Sequence, residues 1–406
     1  MAKLSNNTII NKDKYQAGIA FNLSVKHELN ENVRLQNGWE LVLDSNSQYI
    51  IVRGNSTETD PEALFNECYE MVQRGLDLLS INGKGDISIQ DVVDDYTIWW
   101  KDNNKQILRI VRVSDFTMGS STEITIIDAN GNESKGNKVT PTKYHESLRY
   151  YRLSQITDDL FDSFRNMYLS FELLLSLQTV RRRGEKEGDW LKKALNEFKQ
   201  LQQISHMLKP MNANANVVDK FYKQIYVDVR CCLFHAKEGK RRLLPQDLDD
   251  RKKVGESLDI LTQVVLMLAS KLLHTNRENS VITNIGFSSM MDNVLNNSKI
   301  LLSNSDKALS KVETLSDSIH KESFSFRSSF SKDLSIPGLR FVAASIDPSK
   351  IMNVDTINRF ALQVEEELFS VHHINKGLTL ENIDELQFQL GYRLDNKNLP
   401  KRRFKY

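Results

Sequence analysis

Leu160-Phe161-Asp162-Ser163-Phe164-Arg165-Asn166-Met167-Tyr168-Leu169-Ser170-Phe171-Glu172-Leu173-Leu174-Leu175 marks a change of period in the chain. Its large apolar residues Leu160, Phe161, Phe164, Met167, Tyr168, Phe171, Leu174 and Leu175 recur at spacings of three and four, which predicts one buried helix face. The helical pattern runs from Leu153 to Val180. Three further runs follow it: Trp190 to Met207, Val217 to about Ala236, and Leu248 to Leu273, the last with Pro245 just ahead of it. Long helices joined by short polar connections predict an all-α bundle over residues 145–278.

On the N-terminal side the period is two. Ile19, Phe21, Leu23 and Val25 alternate with smaller or polar residues, Trp39, Leu41 and Leu43 repeat the pattern, and Tyr49 to Val52 is a short apolar run. Two β-rich runs, Tyr96 to Trp100 and Ile107 to Val113, flank Asp102-Asn103-Asn104-Lys105 and predict a hairpin. A further strand is expected over Glu123 to Ile127. One helix interrupts these strands. Asp60 is placed to cap it, Pro61 suits its first position, Leu64, Cys68, Met71, Val72, Leu76 and Leu79 form its stripe, and Asn82-Gly83 ends it. Residues 1–140 therefore predict an α+β sheet domain, suited to sensing or regulation, and the polar stretch 128–143 predicts its boundary.

Beyond the bundle, residues 279–406 predict a mixed, largely helical region. Ser303 to Ser335 is serine-rich and predicts a connector, Leu339 to Ile346 a strand, and Val354 to Val371 and Leu380 to Gly391 two helices. The expected fold class is thus α+β multidomain, with a central all-α bundle between an N-terminal sheet domain and a mixed C-terminal region.

Composition narrows the function. Hydrophobic residues make up 40% of the 406 and charged ones 26%, which excludes disorder throughout. Lys and Arg (54) nearly balance Asp and Glu (53), so nucleic-acid binding must come from local basic patches such as Arg181–Arg183, Lys237–Arg242 and Lys401–Lys405. Three cysteines, two of them adjacent, do not make a disulfide framework and point to a reducing compartment. The first residues carry no signal-type apolar stretch, and Ile260 to Leu273 is polar-interrupted and shorter than the roughly 20 residues of a membrane span. The expected location is the cytoplasm, with no membrane partner.

Motifs for phosphate loops, serine hydrolases and zinc sites are absent. Gly83-Lys84-Gly85-Asp86 lacks the context of a phosphate cradle, and His372-His373, read as a solvated helix end, are neighbours that cannot aim at one ligand. No metal site and no cofactor are expected. What stands out is Asp228-Val229-Arg230-Cys231-Cys232-Leu233-Phe234-His235-Ala236-Lys237. Among the eight histidines, His235 alone has an arginine five positions before it.

Arg230 and His235 late in a bundle helix resemble the R-x4-H form of the HEPN ribonuclease motif. The neighbouring Leu233 to Lys237, the preceding Phe221 to Tyr226 and the first bundle helix around Asn166 to Leu174 resemble HEPN domains of abortive-infection proteins over roughly a third of the chain. The resemblance implies a homodimeric ribonuclease that cleaves RNA without metal, leaves a 2′,3′-cyclic phosphate, and acts as a toxin or in antiviral defence under a regulatory partner or phage-derived trigger. A histidine moves protons near neutral pH and an arginine fork matches phosphate oxygens, so the pair suits that chemistry. Where the family usually has a polar residue after the arginine, this chain has Cys231. That departure favours an alternative reading, a non-catalytic dimerisation or scaffold protein with a degenerate bundle.

Helix geometry constrains the pair. Five residues at about 100° each separate the two side chains by about 140° and about 7.5 Å along a straight helix. Either the helix is distorted near Cys232 or two copies complete one cleft. Supporting residues carry two readings each. Glu172 orients the pair or is a surface charge. Tyr222 and Tyr226, one stripe with Arg230, stack on bases or pack in the bundle. Lys237, Lys240, Arg241 and Arg242 hold the RNA backbone or solvate a helix end, and Arg181–Arg183 likewise form an exposed end or an RNA contact. Asp228 lies two turns from His235, out of reach unless the helix bends.

Overall fold

The computed structural model describes residues 1–11, 14–23, 27–117, 127, 140–211, 215–234, 241–275, 282–305, 324–327, 329–331, 338–351, 356–395 and 403–406. The chain forms two compact units. The first joins Met1–Thr117 to Ile282–Asp395 and Lys405–Tyr406; the second comprises Met118–Val281 and Asn396–Phe404.

The first unit contains two sheets. Its N-terminal strands are β1 (Ala2–Leu4), β2 (Asn7–Ile10), β3 (Ala17–Asn22), β4 (Glu31–Arg34), β5 (Glu40–Leu43), β6 (Tyr49–Gly54), β7 (Asp95–Asp102) and β8 (Lys105–Thr117). Its C-terminal strands are β9 (Ser298–Ser303), β10 (Phe324–Arg327), β11 (Ser329–Ser331), β12 (Leu339–Ile346), β13 (Thr356–Val364), β14 (Glu367–Thr379) and β15 (Glu385–Asp395). The smaller sheet runs β10-β9-β13-β14-β1-β2 and the larger β11-β12-β15-β8-β7-β3-β6-β5-β4. Ile51, Trp99, Leu108 and Ile110 of the larger sheet share a core with Ile300, Leu302, Phe360 and Leu362 of the smaller.

Period-two alternation builds these layers. Ala20 and Trp99 face the shared core, while Phe21 and Tyr96 point the other way, onto α1 (Pro61–Ile81), where Phe65 lies 5.9 Å from Phe21 and 4.9 Å from Tyr96. Asp60 caps α1 as expected, accepting from the N–H groups of Glu62 and Ala63. The β7–β8 hairpin closes through Asn103 and Asn104, both at positive φ. The strand expected over 123–127 lies, apart from Ile127, outside the described residues.

The C-terminal region corrects the sequence reading. The two helices expected over 354–371 and 380–391 are the strands β13, β14 and β15. Leu386, Phe388 and Leu390 are buried and alternate with Gln387 and Gln389, a period-two pattern that nearby apolar residues obscured. Nor do these strands stand apart from the N-terminal ones. β15 pairs in parallel with β8, Glu385 beside Ile107 through Asp395 beside Thr117. Arg393 seals the join: Nη1 donates to Asp94 at 2.8 Å and Nε to Asp115 at 2.9 Å. His372 and His373 lie on β14, so strand geometry, not a helix end, turns them apart. The His372 ring stacks on Phe360 at 4.9 Å.

The second unit is the helical one. It contains α2 (Ser147–Ile156), α3 (Leu160–Gln178), α4 (Glu187–Glu197), a 3-10 segment (Lys199–Met207), α5 (Val217–Phe221) running into a π-helical segment (Tyr222–Arg230) and α6 (Cys231–Leu233), and α7 (Leu248–Leu273). Asp159, Asn216 and Asp247 cap α3, α5 and α7 by accepting from Asp162, Asp219 and Asp250 backbone N–H groups. α3 packs along α2 and α7, burying Phe164, Met167, Phe171 and Leu174 against Val254, Leu261 and Val265. Trp190 is fully buried and its Nε1–H donates to the Thr179 carbonyl at 2.7 Å. A short helix, α8 (Asn284–Leu295), returns the chain to the sheet core through Phe287, Met291 and Leu295.

Candidate active site

Arg230 ends the π-helical segment. In such a segment the N–H groups reach back five residues rather than four, and the Cys231 N–H accordingly donates to the Tyr226 carbonyl. The segment buries Ile225 and Val229 in the bundle and leaves Tyr222, Tyr226 and Arg230 half-buried along one side. Its distortion stops at Arg230. Cys231–Leu233 is α-helical again, and the Phe234 N–H donates to the Arg230 carbonyl at 3.2 Å. Of the two alternatives, a helix distorted near Cys232 or two copies, the first finds its described irregularity before the arginine, in the π-helical segment, and not at Cys232.

The guanidinium is tightly held. Its Nη2 lies 2.9 and 3.1 Å from the two carboxylate oxygens of Glu187, the first residue of α4. Both side chains are about one-fifth exposed, so the pair is only partly screened by water. Aromatic rings enclose the rest: the guanidinium carbon is 5.5 Å from the Tyr168 ring, 5.4 Å from Tyr226 and 5.1 Å from Phe234. Nε is buried and has no hydrogen-bond partner among the described residues. Arginine thus keeps donor capacity beyond its carboxylate contact.

Glu187 is the residue sequence reasoning missed. It is 43 positions from Arg230, a separation at which no helix periodicity connects them. Glu172, the expected acid, is close enough to feel the same charges. Its carboxyl is pushed up by burial and by the Glu187 charge, and Arg230 and Arg181 oppose the shift. Burial and Glu187 likewise push the Tyr226 hydroxyl up to about 12, so it is a hydrogen-bond donor at neutral pH, not a phenolate.

Other expected residues fall elsewhere. Asp228 is ion-paired with Lys223, whereas Arg230 is ion-paired with Glu187. Arg181 donates through Nε and Nη2 to the Glu185 carbonyl at 3.0 and 2.8 Å, which shapes the loop ahead of α4, while Arg182 and Arg183 are exposed. Arg241 and Arg242 are exposed, and the Arg241 charge joins burial in lowering the Lys253 ammonium. His235, Lys237 and Lys240 lie outside the described residues. Among the described residues no group of His, Cys, Asp and Glu could hold a metal ion, and no helix is long and apolar enough to cross a membrane.

Residues 147–269 match the family model of MauJ, described as methylamine utilization protein MauJ. That span is the helical bundle and under a third of the chain. No curated protein matches the chain. No solved structure matches it either.

Proposed function

We propose that the chain is a metal-independent endoribonuclease of HEPN type, with Arg230 and His235 as its catalytic pair. The observation that carries this reading is the setting of Arg230, the arginine of the R-x4-H motif. It sits at the end of a distorted helix on a bundle, with its fork fixed by Glu187 and framed by Tyr168, Tyr226 and Phe234. In the reaction the RNA 2′-oxygen attacks the adjacent phosphorus and the P–O5′ bond breaks. A 2′,3′-cyclic phosphate and a 5′-hydroxyl result. His235 moves the proton, and Arg230 binds the charge that grows on the phosphate oxygens.

Only Cys231–Leu233 is α-helical after the π-helical segment and His235 lies outside the described residues, so two copies are still called for by the separation of about 140° on a straight helix. The proposal therefore includes a homodimer in which Arg230 and His235 of two copies line one cleft, with Lys237, Lys240, Arg241 and Arg242 at its rim. Glu172 and Tyr226 serve it by setting the field and the plane of Arg230. The HEPN assignment rests on the motif, since the family model that matches is MauJ. A cytoplasmic toxin or defence role, with a partner or phage-derived trigger, comes with the same resemblance.

One observation favours the second reading, a non-catalytic dimerisation protein. Glu187 already neutralises Nη2 of Arg230, and Cys231 follows the arginine. The readings separate by incubating labelled single-stranded RNA in EDTA with the protein, with Arg230→Ala and with His235→Ala. Cleavage by the parent and by neither variant supports the enzyme; equal cleavage by all three sinks the assignment.

A further inference from the structure

The rings that frame Arg230 continue past it. Along one face of the bundle lie Lys192, Tyr222, Tyr226, Arg230, Phe234 and Arg165. The Lys192 ammonium is 4.5 Å from the Tyr222 ring centre, and Tyr222 and Tyr226 stack at 5.0 Å with an interplanar angle of 28°. Arg230 lies 5.4 Å from Tyr226 and 5.1 Å from Phe234, and Arg165 is 5.9 Å from Phe234. Three cations and three rings thus form one strip, with a cation at each end and the stacked pair Tyr222–Tyr226 between Lys192 and Arg230.

Such a strip is more than core packing. Tyr222 is partly exposed, and over its ring lies the ammonium of Lys192, an exposed residue on a flexible four-carbon stem. The ring itself is fixed. Tyr226 backs it, and its hydroxyl fills a notch over Gly188, where an added Cβ would lie 2.4 Å away. A flat ring, held rigid, backed by a second ring and overlaid by a movable cation, is the arrangement on which unpaired bases stack in single-strand binding sites.

We infer that Tyr222 is a stacking platform for an unpaired nucleobase of the bound RNA, with Lys192 moving to the phosphate next to that base. The inference rests on the ribonuclease reading for the polymer bound at Arg230, and adds how the strand is held and why it must be unpaired there. Away from its ends a duplex cannot offer a base face to Tyr222 without opening.

Binding tests this apart from cleavage. A 2′-O-methylated single strand, which cannot be cleaved, is titrated into the full-length protein in EDTA at fixed salt. The same is done with a matching abasic strand of equal phosphate count and with the corresponding duplex. The intact single strand binds the parent more tightly than either. Tyr222→Ala and the bulk-preserving Tyr222→Leu weaken that binding by about 5- to 150-fold, leave abasic binding and the salt slope unchanged, and Tyr222→Phe stays close to the parent. Equal loss for intact and abasic strands, no loss with Tyr222→Leu in a variant that melts like the parent, equal binding of duplex, or no binding by the parent overturns the platform. Base-dependent binding without RNA cleavage under any condition upholds the platform and defeats the nuclease reading. Metal-free cleavage whose binding ignores Tyr222 does the reverse.

Discussion

Glu187 holds Arg230 across 43 residues of chain, with Nη2 of the arginine 2.9 Å from one carboxylate oxygen. The contact ties the start of α4 to the end of the π-helical segment. With each side chain about one-fifth exposed, it falls between a surface pair and a buried one. A double-mutant cycle on Glu187→Gln and Arg230→Gln should give a coupling of about 1–3 kcal/mol in urea unfolding, between the values for exposed and fully buried pairs. A coupling below about 0.5 kcal/mol would mean that the pair does not set the arginine.

Gly188 offers a second test of the same corner. Glycine inside a helix is ordinarily worse than alanine by about 0.5–1 kcal/mol, so Gly188→Ala would be expected to stabilise α4. Here the new methyl would meet the Tyr222 hydroxyl. Gly188→Ala should instead destabilise by about 1–3 kcal/mol, the range of overpacking. Adding Tyr222→Phe, which removes the hydroxyl, should restore or exceed parental stability in thermal unfolding.

His372 gives a pH signature to the sheet unit. Burial, and then the charge on Arg112, lower its pKa to about 3. Its Nε2 is buried with no hydrogen-bond partner among the described residues. The folded protein keeps the ring neutral, while the unfolded chain takes up a proton near pH 6.5. The contribution is therefore complete above pH 6.5 and is lost as pH falls toward 3. Between pH 6 and pH 4 the parent should lose stability more steeply than His372→Phe, with a difference in slope approaching about 1.4 kcal/mol per pH unit. Urea titrations at four pH values measure it; parallel slopes would refute the buried neutral ring.

The pairing of β8 with β15 makes a prediction about fragments. Residues 1–140 contain most of the larger sheet, yet expressed alone they leave the β8 edge bare and Asp94 without Arg393. That fragment should lack cooperative unfolding and aggregate through the bare edge, as exposed strand edges do. In the full chain, Arg393→Met should cost about 3–5 kcal/mol, because Asp94 and Asp115 stay behind with their partner removed. A soluble, cooperatively folded 1–140 fragment would contradict the role given to β15.

How much of this was legible in sequence follows from the range of each interaction. The helix α1, with Asp60 and Pro61 at its start, and α7, from Leu248 to Leu273, are local: caps and apolar stripes lie within a few turns. Leu386, Phe388 and Leu390 alternated as a strand should, but what fixes β15 is β8, 278 residues away. Arg230 was visible through its spacing to His235. Glu187, its ion-pair partner, was not, because packing of α4 against the π-helical segment has no linear signature. Tyr222 and Tyr226 were seen as a stripe, and the structure adds that they stack on each other half-exposed.

The parallel seam between β8 and β15 also orders events in time. During synthesis every described helix of the bundle leaves the ribosome before residue 385 exists, so the bundle can fold while the larger sheet still lacks β15. Closing that seam means bringing together paired residues 278 positions apart in the chain, a slow step by loop-closure entropy. The half-made sheet must wait with an open edge, and the chain passes through a stage in which the helices of the bundle have been made and β15 has not.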